Sequence, residues 1–220
     1  MYFGLSEDQI FFQDNVKKFL EDNAPLDVIR NISKGENPNQ KNEIHSGIIN
    51  LGINNILVPE EHGGLGLDLL FAAAISQSIG EAVAPLPYCG SYVMAPIAIQ
   101  IGASKSQKEN IFNEMSSSNI KFGIAFSEYF GSRDSSSINF SNEKINGKTI
   151  FAIDCDYATD VLVSDASGKI GIVSIEDKNI EIVDLITVDK TRTYKEIKFS
   201  NANVEILENT KKIQMPLKKH

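Results

Sequence analysis

The feature that most constrains the fold of this 220-residue chain is a change in hydrophobic periodicity near Ser118. Before that point apolar residues recur every three or four positions, which is the spacing of a buried helical stripe. After Asn119 they form short runs rich in β-branched and aromatic residues, as strands do. Because helical segments come first and none separates the strands, the sequence predicts an α+β fold: an α-helical domain followed by an antiparallel β-barrel domain.

The helical half carries clear start and stop signals. Ser6 with Gln9, and Ser104 with Gln107, have the spacing of a capping box, in which each side chain bonds the other residue's backbone. Pro25 ends the first helix, since proline cannot continue a helical hydrogen-bond pattern. The pattern predicts five helices. The first begins at Ser6, the second and third cover about 39–51 and 68–79, and the fourth and fifth lie within SYVMAPIAIQIG and SKSQKENIFNEM.

The strand half is divided by residues that favour tight turns. We predict turns at Asn146-Gly147, at Ser167-Gly168 and at 177–179, because Asn and Gly adopt the backbone conformations that hairpin turns require. The predicted boundaries are 1–118 for the helical domain, 119–209 for the β-barrel domain and 210–220 for a basic tail.

Composition argues against several classes of function. The formal net charge of −8 does not suit nucleic acid as a partner, because phosphate binding needs clustered Lys and Arg. Neither the two cysteines nor the three histidines have the spacing of metal ligands, so no metal site is expected. No secretory signal and no run of about 20 apolar residues is present, so we expect a cytoplasmic protein without a membrane span.

A series of motifs runs along the chain: LVPEEHGGLGLD, GASKSQKENIF, GIAFSEYFGSRD, INGKTIFAI, YATDVLVSDA and VDKTRTYKEIKFSNANV. Their order and spacing resemble the acyl-CoA dehydrogenase family from Gly4 to about Leu207. The resemblance implies an FAD-dependent flavoprotein that catalyses α,β-dehydrogenation of an acyl-CoA substrate, with FAD as hydride acceptor. It further implies an electron-transfer flavoprotein or similar acceptor and a homo- or hetero-oligomer.

The resemblance places the first cofactor contacts at the end of the first strand. Phe126 and Ser127 match the region that bonds the flavin pyrimidine edge in the family. Gly131 and Ser132 match a Gly-Ser pair near the FAD pyrophosphate and the acyl-CoA chain, so Ser132 is also a predicted substrate-binding residue. Backbone N–H groups in such a turn can point at phosphate oxygens. Arg133 departs from the family pattern, since it moves the Gly-Ser pair one position early.

A second set of predicted cofactor contacts follows Asn146-Gly147. Phe151 and Ile153 match the first and last positions of the family motif WIT, where the Trp packs against the isoalloxazine and the Thr hydroxyl bonds flavin N5. Phe151 keeps an aromatic face, whereas Ile153 has no hydroxyl. As alternate residues of one strand, Phe151 and Ile153 are expected to share an inward face. A further departure is Tyr129, which stands where the family has proline.

The family's catalytic base is a glutamate on a C-terminal four-helix domain, and no residue of this sequence matches it. We therefore predict no catalytic residue here and interpret the chain as truncated before that domain. The alternative is a non-catalytic partner subunit of a heteromeric acyl-CoA dehydrogenase. A third, weaker interpretation is a related acyl-CoA oxidase-like or nitroalkane oxidase-like flavoprotein.

Overall fold

The computed structural model describes residues 4–127 and 138–210. All six α-helices of the described residues precede the first strand. A π-helix, Tyr88–Met94, leads directly into the fifth of them. The α-helices are α1 (Glu7–Asn23), α2 (Leu26–Ser33), α3 (Pro38–Asn50), α4 (Leu69–Glu81), α5 (Ala95–Gly102) and α6 (Lys105–Ser116).

Side-chain caps begin three of these helices. The Ser6 hydroxyl accepts from the backbone N–H of Gln9 at 3.2 Å, and the Gln9 side chain accepts from the Ser6 N–H at 2.9 Å. The same pair of bonds joins Ser104 and Gln107, so both predicted capping boxes are confirmed. Asp68 caps α4 through two backbone N–H groups. Each cap satisfies N–H groups that have no partner inside the helix.

The helical region contains two features that the sequence pattern did not predict. One is α2, which begins directly after Pro25, the residue predicted only to end α1. The other is the π-helix itself: the fourth predicted helix, which was expected to be interrupted or started by Pro96, divides into the π-helix and α5, with Pro96 in the first turn of α5. A proline is tolerated there, since its missing N–H would have no partner in the helix.

The eight described strands form one sheet. In space their order is β6-β7-β3-β1-β4-β5-β8, and β2 pairs with β3. The β1–β4 pair is parallel and the other pairs are antiparallel. The strands are β1 (Phe122–Ala125), β2 (Asn139–Ser141), β3 (Lys144–Ile153), β4 (Asp160–Ser164), β5 (Ile170–Ser174), β6 (Ile180–Leu185), β7 (Tyr194–Asn203) and β8 (Glu205–Ile206).

The α+β class is confirmed, but the barrel needs a correction. Among the described strands, β6 and β8 stand at opposite ends of the pairing order and do not pair with each other. A barrel requires that pairing, because closure is what removes the free edges of a sheet. The described part of the sheet is therefore open.

One predicted turn is wrong. Asn146 and Gly147 lie inside β3, where they pair with Ser200 and Phe199 of β7. The hairpin between β2 and β3 turns instead at Asn142-Glu143, and both residues have positive φ, 51° and 56°. Positive φ at both central residues is the requirement of a type I′ turn.

The other two predicted turns are confirmed. Gly168, with a φ of 83°, lies between β4 and β5. Between β5 and β6, the Asp177 carbonyl accepts from the Ile180 N–H at 3.1 Å.

One apolar cluster joins the helices to the sheet. Ile99 of α5 and Phe112 of α6 pack with Phe122 of β1 and Leu162 of β4. All four side chains are at most 1% exposed. Burying a side chain of this size stabilises a fold by about 1.5–3 kcal/mol. The helical and strand regions therefore share a core rather than being joined only by a linker.

Candidate functional site

The end of β1 meets the end of β3, so the two predicted cofactor-binding segments are neighbours. Ile124 of β1 pairs with Ile153 of β3. Half-buried Phe126 packs on the same apolar cluster as Ile153. The Ser127 hydroxyl lies 2.8 Å from the hydroxyl of Thr149, which is fully buried. The structure thus places Phe126 and Ile153 in one apolar cluster and puts Ser127 in contact with Thr149 of β3.

Phe151 does not share an inward face with Ile153. Between Thr149 and Ala152 the register of β3 against β7 shifts, so two residues of β3 stand opposite one residue of β7. Phe151 belongs to this β-bulge and has a φ of 56°. Its side chain is 57% exposed, whereas Ile153 is half-buried. A bulge re-aims side chains by disrupting strict alternation, which is why the expectation from strand periodicity failed here.

The aromatic ring of Phe151 has one aromatic neighbour among the described residues. It packs edge-on against Tyr194 of β7, with ring centroids 6.4 Å apart and an interplanar angle of 84°. The two rings are thus nearly perpendicular, which is a favourable arrangement for an aromatic pair. The remaining exposed surface of Phe151 is available to a flat ligand.

Two predicted site residues, Gly131 and Ser132, lie outside the described residues. Their contacts with the FAD pyrophosphate and with acyl-CoA stay predictions.

The described residues fit the ring system of a flavin in part. A tricyclic ring needs an exposed apolar or aromatic surface and hydrogen-bonding groups at its edge. Phe151 supplies the surface. The Ser127 hydroxyl has one donor and two acceptor lone pairs, so it keeps bonding capacity beside Thr149. Ile153 supplies only apolar contact, since it has no hydroxyl.

Asp154 is a neighbour of the site that the sequence did not single out. It follows Ile153 directly and has a φ of 59°. One carboxylate oxygen, Oδ2, accepts from the backbone N–H of Gly90 at 2.6 Å and from that of Ser91 at 3.3 Å. Burial raises the pKa of Asp154, and these two bonds and the charge of Arg192 oppose the rise. The only sequence signal was an acidic residue immediately after a flavin motif.

A second carboxylate nearby has different partners. Asp156 contacts the ammonium groups of Lys41 and Lys195, each at 3.0 Å, and accepts from the Thr193 hydroxyl at 2.8 Å. Burial disfavours the charged form of Asp156 and would by itself raise its pKa. The hydrogen bonds from Lys195, Lys41 and Thr193 have the larger effect and lower the pKa of Asp156 to about 2. Asp156 thereby links α3 in the helical region to β7 in the sheet.

His45 of α3 lies at the same junction. Its Nε2 is 2.6 Å from the hydroxyl of Tyr92 in the π-helix, and its ring stacks on that of Tyr157 with centroids 4.0 Å apart. Burial, with smaller effects from the charges of Lys121 and Lys41, lowers the pKa of His45 to about 4. His45 is therefore neutral at physiological pH.

Two other kinds of site are not found in the described part of the chain. Within residues 4–127 and 138–210, no group of three or more His, Cys, Asp or Glu side chains could hold a metal ion. No helix in these ranges is both long and apolar enough to cross a membrane.

The fold and site define a class: a helical region packed on a mostly antiparallel sheet, with an exposed aromatic at the meeting of two strand ends. The family model "Acyl-CoA dehydrogenase, N-terminal domain" matches residues 6–119, just over half of the chain. The chain belongs to the acyl-CoA dehydrogenase family. No curated protein sequence matches it.

Three solved structures illustrate the similarity of fold. The ChsE4-ChsE5 complex from Mycobacterium tuberculosis has a TM-score of 0.80 at 19% identity, over 96% of this chain and 59% of that one. Glutaryl-coenzyme A dehydrogenase in complex with glutaryl-CoA has a TM-score of 0.74 at 18% identity, over 96% and 58%. An acyl-CoA dehydrogenase complexed with FAD from Bacillus anthracis has a TM-score of 0.70 at 15% identity, over 93% and 37%. The chain therefore spans less than two thirds of the length of each.

Proposed function

We propose that this chain is an acyl-CoA dehydrogenase-like flavoprotein, with FAD held at the edge where β1 and β3 end. The observation that carries the proposal is the contact of the end of β1 with β3, where Phe126 packs with Ile153 and Ser127 bonds Thr149, beside an exposed Phe151. Family membership supports it, as does the similarity of fold to a structure described as complexed with FAD. The reaction proposed is α,β-dehydrogenation of an acyl-CoA, for which bound FAD supplies the hydride acceptor.

Each site residue has a separate role in this proposal. Phe151 packs its exposed face against the flavin ring, and the Ser127 hydroxyl bonds the ring edge. Phe126 and Ile153 exclude water from the apolar side of the ring. Gly131 and Ser132 are proposed to contact the pyrophosphate, and Ser132 also the acyl-CoA.

The sharpest test of the cofactor assignment is a fluorescence titration of FAD with three proteins. These are the wild type, Phe151→Ala and a matched control, Phe11→Ala, which removes a ring that is 64% exposed on α1. We expect weak saturable binding by the wild type and a loss of about tenfold in Phe151→Ala, since an aromatic contact contributes roughly 0.5–1.5 kcal/mol beyond its buried area. Phe11→Ala should match the wild type. No saturable binding, or equal loss in both variants, would contradict the assignment.

Turnover is a separate question, because no described residue is proposed as the catalytic base. We expect the 220-residue chain by itself to show no dehydrogenation of acyl-CoAs with an artificial electron acceptor. Measured turnover would show that the chain contains a base that we have not identified.

A second candidate function is a non-catalytic partner subunit in a heteromeric acyl-CoA dehydrogenase. Two observations favour it: the similarity of fold to the ChsE4-ChsE5 complex, and Ile153 in place of a hydroxyl-bearing residue. The chain, tagged and expressed in its native cell, should then co-purify with a second chain of the same family and with bound FAD. Recovery of a homo-oligomer that retains FAD would favour the first candidate.

The remaining assignments rest on the family resemblance for the acceptor and the oligomeric state, and on the sequence pattern for the location and the domain boundaries. We propose an electron-transfer flavoprotein or similar acceptor, a homo- or hetero-oligomeric state and a cytoplasmic location. The domain boundaries at 118 and 209 are likewise proposed, and limited proteolysis would test them.

A further inference from the structure

Asp154 is the structural link between the proposed flavin-binding edge and the π-helix. Its carboxylate oxygen Oδ2 lies 2.6 Å from the Gly90 nitrogen, the shortest of its contacts with the π-helix. The fit leaves no room for a side chain at Gly90, since a Cβ there would lie 2.7 Å from Asp154 Oδ2. Real Cβ atoms essentially never approach a neighbour so closely. The Asp154 carboxylate therefore lies in direct contact with the backbone of the π-helix.

The same turn of the π-helix is also bonded to β1. The Ser91 hydroxyl donates to the carbonyl of Phe122, and its backbone N–H faces Asp154. Phe122 begins β1, and Ile124, two residues later, pairs with Ile153. Two adjacent residues of the π-helix thus contact Phe122 of β1 and Asp154, the residue that directly follows β3.

The segment that carries Phe151 and Ile153 is fixed at two points. At one end, the bulge holds Phe151 at a φ of 56° against β7. At the other, Asp154 has a φ of 59° and is bonded to the π-helix. A left-handed conformation is costly for most side chains but is tolerated by Asp and Asn. Asp154 thus tolerates the left-handed backbone conformation and also supplies the oxygen that accepts the Gly90 hydrogen bond.

We propose that Asp154 is a positioning residue for the flavin-binding edge: by bonding Gly90 and Ser91, it sets where Phe151 and Ile153 stand relative to the π-helix. The ligand in this inference rests on the proposed function. Asp154 acts through its neighbours rather than by touching the cofactor. Asn at this position keeps an acceptor oxygen and the left-handed backbone, so it should replace Asp154 in this role, whereas Ala should not.

The first test needs no cofactor. NMR would follow two signals, the hydrogen exchange of the Gly90 amide and the chemical shift of the Ile153 methyl groups. We expect Asp154→Ala to speed Gly90 exchange by about tenfold or more, since bonds to charged groups are among the stronger ones. The Ile153 methyl signals should also move. Asp154→Asn should restore both signals toward the wild type.

Two further variants guard against a general loss of structure. Asp156→Ala removes a carboxylate whose partners are Lys41, Lys195 and Thr193, so it should leave Gly90 exchange unchanged. In Gly90→Ala, the added methyl group should push the Asp154 carboxylate away from the π-helix. The Ile153 methyl signals should then shift as they do in Asp154→Ala. The proposal is overturned if Asp154→Ala leaves both signals unchanged, or if Asp156→Ala changes them equally.

FAD titration of the same variants separates this inference from the proposed function. Weaker binding by Asp154→Ala, with recovery in Asp154→Asn, supports the positioning role. Binding by the wild type that Asp154→Ala leaves unaltered overturns it. If the wild type binds no FAD, the proposed function fails, and the Ile153 methyl signals alone decide whether Asp154 positions this edge.

Discussion

The helical region, 7–116, and the strand region, 122–206, differ in how locally their structure is determined. In the helical region, the ends of α1 and α6 follow from residues three positions apart, as the bonds of Ser6 with Gln9 show. In the strand region, the decisive features depend on distant partners. The side chain of Phe151 does not lie on the expected inward face, because a β-bulge shifts the register of β3 against β7, a strand that begins more than 40 residues after Phe151. Local signals can specify a helix end, whereas a bulge is set by the whole sheet.

The first prediction tests whether the two regions are nevertheless one cooperative unit. Phe112 of α6 is fully buried against Phe122 and Leu162 of the sheet. Phe112→Ala should reduce the free energy of unfolding by about 3–5 kcal/mol, because it leaves a cavity where both regions meet. Urea unfolding would be followed by far-UV circular dichroism for the helices and by the NMR methyl signals of Val173 in β5 for the sheet.

In Phe112→Ala, the urea midpoints reported by the two signals should fall by the same amount. Phe11→Ala is the matched control: its ring is 64% exposed, so its midpoint should move little. Separate transitions, with only the helical signal shifted, would mean that the regions unfold independently despite their shared core.

The second prediction concerns the polar junction between the regions. His45 has a pKa of about 4 in the folded chain, below its ordinary value of 6.5. The unfolded chain therefore binds more protons between these values, and the stability that neutral His45 provides is lost as the pH falls from about 6.5 to 4. After allowance for solvent screening, we expect this loss to be about 1–2 kcal/mol.

Urea unfolding at pH 7 and at pH 4.5 would measure this dependence. His45→Gln removes the titrating group, so its midpoint should change less between the two pH values than that of the wild type. Asp156 provides an internal contrast, since its pKa of about 2 makes its own contribution fall mainly below pH 4. An equal pH dependence in His45→Gln and the wild type would show that other groups control acid stability.

These comparisons explain which parts of the site were predictable. Phe126, Ser127 and Ile153 were singled out only through the family resemblance, and the pairing of β1 with β3, which puts Phe126 and Ile153 in one apolar cluster, is a long-range contact that no local pattern predicted. The outward turn of Phe151 was not predictable from a period of two, since one inserted residue reverses the alternation. Asp154 was missed because its partners in the π-helix lie more than 60 residues away in sequence.

The turn between β2 and β3 was also predicted at the wrong place, because long-range strand pairing overrides a local turn signal. This difference yields the last prediction. Asn146-Gly147 is the favoured turn sequence, yet the chain turns at Asn142-Glu143, where Glu143 has a φ of 56°. Pairing along the length of β3 outweighs the local preference. Glu143→Gly should therefore stabilise the fold by about 0.5–1 kcal/mol, since glycine relieves the left-handed strain at the second position of a type I′ turn.

Thermal unfolding would measure this gain, with Gly147→Ala as the opposing variant. Gly147 has a φ of 119° inside β3, where alanine is strained, so Gly147→Ala should lower the melting temperature. If the chain turned at Asn146-Gly147 instead, Glu143 would lie in a strand and Glu143→Gly would destabilise it. The sign of the Glu143→Gly effect therefore decides between the local signal and the pairing of the sheet.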